Sequence, residues 1–268
     1  MSDKERLDVL LVELGFFETR EKARAQIMAG KIYVDDQKSE KPGTRVSRSS
    51  TIEDRGEKMP FVSRGGYKLD KAIKSFEIDL KGKICLDIGA STGGFTDVML
   101  QSGAAKVFAV DVGYGQFAWK LRTDPRVVCM ERMNFRYATR EEIKDPIDFS
   151  ATDVSFISIM KIIPPALELM TADGEMVALI KPQFEAGRDK VEKKGVVRKK
   201  STHKEVLTMI VDFVKEKGLY IYGLDYSPIR GPEGNIEFLI YFGKKDKDIL
   251  FESDKIIDQM INEAHDIR

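Results

Sequence analysis

The strongest constraint on this chain is an alternation. From residue 83 onward, apolar runs of strand length recur at 83–88, 106–111, 127–130, 148–153, 175–180, 219–225 and 236–242, with helical patterns between most of them. Strands joined through helices run parallel, and a parallel sheet must be covered on both faces. The spacing therefore predicts an α/β fold built on a seven-stranded, mostly parallel sheet. The last return is not helical, so the final strand is expected to run antiparallel. One covering helix is expected to open at Thr202, with Glu205 completing a capping box, and to close at Gly218.

A chain of 268 residues has room for such a domain and a small module besides. We expect the module at 1–57, a linker at 58–66 containing Pro60, Gly65 and Gly66, the large domain at 67–245, and a helical tail at 246–268. In the module, Leu7, Leu10, Leu11 and Leu14 fall at helical spacing within 4–15, and Gly15 is a natural stop. Thr19 reads as the N-cap of a second helix ending at Gly30. A hairpin-like stretch follows, with a turn at Pro42-Gly43 and further strands near 45–52.

Total charge is uninformative, with 44 Lys plus Arg against 44 Asp plus Glu. Its distribution says more. Residues 20–64 hold eleven basic side chains against seven acidic ones, and Arg20 and Arg24 share a helix face. Such a face either attracts phosphates without reading sequence or is merely solvated. A second basic run, 187–204, carries eight Lys or Arg against two acids and directly follows Lys181. Through Lys190, Lys193, Lys194 and Arg198 it would hold RNA backbone at the mouth of the crevice; a solvated loop is the alternative.

The first strand of the large domain runs into LDIGASTGGFTD, a strand, a glycine turn and a helix start. That arrangement aims backbone N–H groups at the carboxyl edge of the sheet, where open α/β folds bind ligands. The dinucleotide fingerprint fails, because Ser91 stands where its second glycine should be, and no Gly-Lys-Ser/Thr phosphate loop is present. Asp87-x-Gly89-x-x-x-Gly93-Gly94-Phe95 instead resembles the cofactor motif of class I (Rossmann-like) methyltransferases. Asp111, at the end of the second strand, suits a ribose diol and repels a 2′-phosphate.

The target atom dictates which side chains are needed. Neither Cys85 nor Cys129 lies in a plausible loop for a base-carbon nucleophile, and Asp153-Val154-Ser155-Phe156 lacks the prolines of amino-methylating loops. A ribose hydroxyl needs a nearby base or cation to remove or stabilise its proton. Lys68, Asp153, Lys181 and Glu237 supply two cations and two carboxylates at positions that converge on one sheet edge.

Two resemblances carry these readings further. Arg6-x-Asp8-x-x-Leu11, Thr19-Arg20-x-x-Ala23 and Gly30-x-Ile32-x-Val34 resemble the S4-type RNA-binding domain over residues 4–55. That likeness implies RNA contacts at Arg20, Lys22, Arg24 and Lys31, with Arg6 and, in the linker, Arg64 as further candidates. The segments VSRGGYKL, LDIGASTGGFTD, DVSFIS, LIKPQFE, GVVR and SPIRGPEGNIEFL resemble the TlyA (haemolysin A-like) family of S4-domain ribosomal RNA ribose methyltransferases with FtsJ-like catalytic domains. The family implies a Lys-Asp-Lys-Glu tetrad at Lys68, Asp153, Lys181 and Glu237, with Lys181 nearest the reacting hydroxyl of a cytidine. S-adenosyl-L-methionine is the implied cofactor, contacted at Asp87, Gly89, Ala90, Ser91, Gly93, Gly94 and Phe95, and at Asp111, Val112, Asn134 and Asp153. The loop centre Ala90-Ser91-Thr92 departs from the Pro-Gly of wider FtsJ-like relatives.

With only two cysteines and two histidines, scattered at 85, 129, 203 and 265, neither a disulfide framework nor a four-ligand zinc site is expected, and so no metal. No apolar run reaches membrane-spanning length and residues 1–15 are charged, so we expect a cytoplasmic protein, monomeric, with ribosomal RNA or ribosomal subunits as partner. The competing readings are a membrane-active cytolysin, which lacks a secretion signal and a basic amphipathic helix, and a non-catalytic ribosome-assembly factor. Pseudouridine synthesis also uses S4-type modules but has no need of the glycine loop.

Overall fold

Leucines at helical spacing and three-residue strands build the first of two structural units, Met1–Pro60 and Phe61–Arg268, in a computed structural model that describes residues 3–17, 19–56 and 59–266. In the smaller unit, β1 (Lys4–Arg6) leads into α1 (Leu7–Glu13), and α2 (Arg20–Met28) follows. Then come β2 (Ile32–Val34), β3 (Gln37–Ser39), β4 (Arg45–Ser47) and β5 (Ile52–Asp54). Leu7, Leu10, Leu11, Ala23, Ile27, Ile32 and Val46 form its small core. Thr19 Oγ1 accepts the Lys22 amide, so the expected N-cap is present. Asp35 and Asp36, both left-handed (φ +49° and +64°), turn β2 into β3. Residues 4–6, expected as helix, are instead a strand paired antiparallel with β4. Leucine periodicity cannot register a partner strand forty residues away.

The larger unit opens with α3 (Gly66–Ser75), then β6 (Ile84–Ile88), α4 (Gly94–Gln101), β7 (Lys106–Val110), α5 (Trp119–Arg122) and β8 (Val127–Met130). It continues with β9 (Ile147–Thr152), α6 (Ile163–Leu169), β10 (Met170–Ile180), α7 (Pro182–Glu185) and α8 (Lys200–Glu216). It closes with β11 (Tyr220–Tyr226), β12 (Phe238–Gly243) and α9 (Ser253–Asp266). The seven strands lie in the order β11-β12-β10-β9-β6-β7-β8. Neighbours from β10 to β8 pair in parallel, while β12 is antiparallel to both β10 and β11. The α/β fold with a mostly parallel seven-stranded sheet is the one expected. Among the described residues no helix is long and apolar enough to cross a membrane.

Each sheet face carries its own core. Leu69, Val98, Met99 and Phe149 lie in one, and Ile163, Leu207, Ile210, Phe238 and Phe242 in the other. Strands β6, β7, β9 and β10 end at the same edge of the sheet, and β12, running the other way, begins there.

Three expectations need correcting. Helix α8 starts at Lys200, with Lys199 at its N-cap and no side-chain cap. Thr202 is buried inside the helix and Glu205 pairs with Lys190, so no capping box forms. Residues 61–66, expected as linker, belong to the larger unit: Phe61 is buried and the Val62 amide donates to Asp97 Oδ2 at 2.8 Å. Glu57 and Lys58, at the expected boundary, lie outside the described residues. The tail, too, belongs to the larger unit, because α9 buries Ile257, Ile261 and Ala264 in the core it shares with α8.

Candidate active site

Strand β6 ends in the turn that opens the site. Gly89 is left-handed (φ +86°), and a Cβ there would stand 3.0 Å from the Asp153 carbonyl. Any side chain would push apart β6 and the residue after β9. At Gly94, a Cβ would come within 2.4 Å of Ser63 Oγ and 2.9 Å of the Gly66 amide. Residues 63–66 therefore pack directly on the start of α4, and their position is locked by Asp97, one turn further along.

Two cavities open beside this turn and share Gly89, Ser91, Asp153 and Ser155, making one continuous cleft. The first, about 500 Å³, is lined by Asp111, Val112, Asn134, Gly89, Ser91 and Asp153 together with Ile88, Met133, Phe135, Ile157 and Ile162. Its apolar wall suits a flat heteroaromatic ring. Asp111 reaches into it with both oxygens already accepting one amide each, from Ser91 at 2.7 Å and Gly113 at 2.6 Å. Each carboxylate oxygen keeps a second lone pair for a ribose hydroxyl.

The second cavity, about 260 Å³, is lined by Asp87, Ala90, Gly94, Phe95, Ser63, Gly65 and Lys181 among others. Asp87 Oδ2 accepts the Thr96 amide and hydroxyl at 2.9 and 2.6 Å, but Oδ1 is buried and has no hydrogen-bond partner among the described residues. Burial pushes this carboxyl up to about 7 against those two hydrogen bonds. An orphaned buried carboxylate oxygen is costly unless a donor arrives. The ammonium of an amino-acid moiety would satisfy it. A ring wall, a diol acceptor and an ammonium acceptor in one cleft fit S-adenosyl-L-methionine.

Ten of the eleven sequence-proposed cofactor residues line this cleft. Gly93 does not: its left-handed turn (φ +95°) is covered by Leu121 and Phe117, and it shapes the loop from behind.

At the cleft's inner end the four charged residues meet. Lys68 Nζ lies 3.1 Å from Asp153 Oδ2 and 2.7 Å from Glu237 Oε2, and Lys181 Nζ lies 2.6 Å from Asp153 Oδ1. The order is Glu237–Lys68–Asp153–Lys181, a chain of alternating sign. Burial works against the charge on Lys68, but Asp153 and Glu237 outweigh it and raise its pKa above the ordinary lysine value. Burial likewise works against Asp153, and Lys68 and Lys181 outweigh it, so its carboxyl titrates below the usual range. Lys68 and Asp153 are thus held charged in a largely dry place, where breaking one pair strands the other. Asp153 and Lys181 are the members that border the cleft, and Lys181 donates a further bond to Ser155 Oγ at 2.9 Å.

Glu237 is fixed from behind. Its carbonyl accepts the Ser227 amide at 2.8 Å, and the nearby Asn235, 2% exposed, ties two loops together. Asn235 Oδ1 accepts the Val197 amide and its Nδ2 donates to the Gly195 carbonyl, both at 2.9 Å. The basic segment 187–204 is thereby fastened beside the tetrad.

Sequence reasoning missed Ser63, Gly65, Asp97, Ser155, Asn235 and Phe156. Phe156 is 90% exposed, left-handed (φ +64°) and packed on Phe184 at 5.0 Å between ring centroids. Strained backbone that holds a large ring in solvent next to a cleft marks a binding position. An aromatic three residues after Asp153 was the only signal available.

The proposed RNA residues divide. Arg6 and Arg20 both bind the buried Asp8, at 2.9 and 2.8 Å, with about half of each arginine side chain still exposed (47% and 52%). Lys22 and Arg24 are exposed on α2, and the Lys31 stem packs near Gly56. In the larger unit Arg64, Lys193 and Lys194 are exposed, while Lys190 pairs with Glu205 and Arg198 lies 3.6 Å from Glu192.

Known proteins share this architecture. Residues 61–244 match the FtsJ-like methyltransferase model and residues 5–52 the S4 domain model. YqxC of Bacillus subtilis, provisionally named an rRNA methyltransferase, is 48% identical over 98% of this chain and 95% of its own. The 16S/23S rRNA (cytidine-2′-O)-methyltransferase TlyA of Mycobacterium tuberculosis is 41% identical over 90% of each chain. A solved Streptococcus thermophilus structure, provisionally described as a hemolysin, is 45% identical with a TM-score of 0.76, covering 98% of this chain and 96% of its own. With a cofactor-shaped cleft, a buried charge chain at its end and a matching model across more than half its length, the chain belongs to the FtsJ-like methyltransferase family, with an S4 domain ahead of the catalytic unit.

Proposed function

We propose that this protein methylates a ribose 2′-hydroxyl of ribosomal RNA, on a cytidine, using S-adenosyl-L-methionine. The observation that carries the reading is the Glu237–Lys68–Asp153–Lys181 chain ending on the cleft at Lys181. It contains neither a thiol nor the proline-bearing loop that base methylation employs. The cytidine target and ribosomal RNA come from the naming of the TlyA relative. This reading puts the protein in the cytoplasm, with the exposed Lys22 and Arg24 of the S4 domain and Arg64, Lys193 and Lys194 of the larger unit against RNA phosphate.

The cofactor supplies an electrophilic methyl group on a sulfonium. Asp111, with Val112 and Asn134 beside it, would hold the adenosine half, and Asp87 the amino group. The remaining work belongs to the protein. A ribose hydroxyl is a weak nucleophile, and its oxygen must shed a proton as its lone pair forms the new O–C bond. Lys181, oriented by Asp153 and Ser155, is the group suited to receive that proton once it stands as the neutral amine, having released its own proton beforehand. Lys68 stabilises charge building on the oxygen and keeps Asp153 ionised, and Glu237 in turn keeps Lys68 charged. Residues 63–65 and Phe95 exclude water from the same end of the cleft.

The test is transfer of labelled methyl from S-adenosylmethionine to unmodified ribosomal RNA and to ribosomal subunits. The reading predicts incorporation into at least one of the two. No incorporation into either would overturn it.

A further inference from the structure

A third cavity, about 440 Å³, lies between α3 and the loop after β11, and its walls include Tyr67, Asp70, Lys71, Lys74, Pro228 and Ile229. Tyr67, Lys71 and Lys74 follow one another at helical spacing, so they line a single face of α3 next to the face that buries Lys68. Tyr67 and Lys68 are consecutive, with Cα atoms about 3.8 Å apart. The opposite wall is joined to the tetrad as well, since the Ser227 amide holds the Glu237 carbonyl at 2.8 Å.

Both walls are braced. The Tyr67 ring stands edge-on to Phe61 at 5.6 Å, and Ser227 Oγ donates to the Ile229 carbonyl at 2.6 Å. The Lys71 ammonium is held by Asp225 and the Tyr226 carbonyl, both at 2.7 Å, and lies over the Tyr226 ring, which leaves its aliphatic stem for the cavity. Lys74 is the contrast: its side chain is 73% exposed and, among the described residues, is bound to Asp70 alone, one turn back. Such surface pairs are weak, and a phosphate can replace the carboxylate. The cavity therefore offers an aromatic ring, a proline and an isoleucine inside, and at its rim the Lys74 ammonium in a weak, exposed pair with Asp70.

A flat apolar face joined to an anion is the chemistry of a nucleotide. From this geometry we infer that the cavity takes the base of the nucleotide next to the methylated one, with its phosphate at Lys74. The inference rests on the proposed function, because it is the ribose held at the tetrad that puts a neighbouring nucleotide within reach. It makes Tyr67 and Ile229 specificity-determining residues on the substrate side, independent of the cofactor cleft.

The test is steady-state methylation of a ribosomal RNA fragment by the full chain and its Ile229→Ser and Tyr67→Ala variants. Loss of one base stack corresponds to roughly a tenfold rise in KM for RNA, with kcat and the Kd for S-adenosylmethionine little changed. Tyr67→Ala also removes the neighbour of Phe61, so a cofactor Kd that moves in that variant alone reports on residues 61–66, and Ile229→Ser then decides. A fragment with an abasic residue beside the target should show the same rise with wild-type protein and no further rise with Ile229→Ser. An unchanged KM for Ile229→Ser overturns the inference, as does a KM that rises on assembled subunits alone, which would assign the cavity to a ribosomal protein. Absence of methyl transfer by the wild type would instead sink the proposed function, and this inference with it.

Discussion

Two carboxylates in this molecule, Asp8 fully buried and Asp153 with 18% of its side chain exposed, each sit between two cations, and they are built for different ends. Asp8 in the smaller unit is bracketed by Arg6 and Arg20, whose side chains are 47% and 52% exposed. Asp153 in the larger unit is bracketed by Lys68 and Lys181, at 9% and 10%. The hydrogen bond from Arg6, aided by Arg20, holds the Asp8 carboxyl down at about 2. Arginine is charged at every accessible pH and presents a rigid fork, so this triad fixes geometry and leaves its outer faces in solvent. Lysine carries a single compact ammonium, which can shed its proton in a dry site and take one up again as the amine. The difference teaches that charge pairing alone does not mark a catalytic centre. What distinguishes Asp153 is that its cations are dry and that one of them borders a cleft.

The comparison breaks first at Lys181. Removing the group that receives the proton should lower kcat about a thousandfold in Lys181→Ala. Calorimetric titration should find cofactor binding retained. A kcat within tenfold of wild type would reduce the tetrad to a structural ion cluster like the one around Asp8.

The next effect is in pH. The chain's two histidines bond each other, His203 Nδ1 to His265 Nε2 at 2.9 Å, joining α8 to α9. Burial, with His265 beside it, pushes His203 down to about 4, while Lys200 and Arg230 also disfavour charge on His265 and Asp266 favours it. Because its folded value lies below the ordinary 6.5, the unfolded chain takes up the proton first. The pair's contribution is therefore complete above about pH 6.5 and is lost as pH falls toward about 4, by at most ~3 kcal/mol. Melting of the larger unit between pH 7 and 4 should show this slope, and His203→Gln should flatten it. Asp8 has the same sign in a lower window: its stabilisation is present above the ordinary 3.8 and is lost as pH falls toward about 2. The larger unit should thus weaken at a higher pH than the smaller one.

Asp8→Ala should destabilise the smaller unit by about 2 kcal/mol, the scale of charge-assisted hydrogen bonds lost from a buried group. Denaturant titration followed in that unit would register it, and kcat at saturating RNA should stay within about twofold. The smallest effect concerns Asp97. Its carboxylate holds the Val62 amide at 2.8 Å and Lys120 at 3.1 Å, keeping residues 61–66 against the cofactor turn. Asp97→Ala should weaken S-adenosylmethionine binding about fivefold, near 1 kcal/mol for one hydrogen bond. An unchanged Kd would mean that this segment needs no such clasp.

Much of this was legible in the residues. Each strand of the large sheet is an apolar run bounded by polar turns, and the tetrad residues stand at or beside the ends of α3, β9, β10 and β12, so their convergence follows from topology. The capping threonine at 19 was legible because its signal is local. Long-range and crowded features were not. Lys4–Arg6 read as helix because its β4 partner lies beyond any local window, and Thr202 imitated a cap while burial carried α8 two residues further back. Ser63 and Gly65 read as linker because nothing local indicates that Gly94 lacks a Cβ in order to receive them. Exposure of Phe156 and orphaning of Asp87 Oδ1 are properties of packing, which residue types at a spacing do not encode.

The account stands most directly on which atom is methylated. Ribosomal RNA methylated by the protein should be digested to nucleosides and resolved by mass spectrometry. The account predicts 2′-O-methylcytidine, formed by the wild type and absent with Lys181→Ala. A methyl group on a base, or product formed equally by Lys181→Ala, would contradict it.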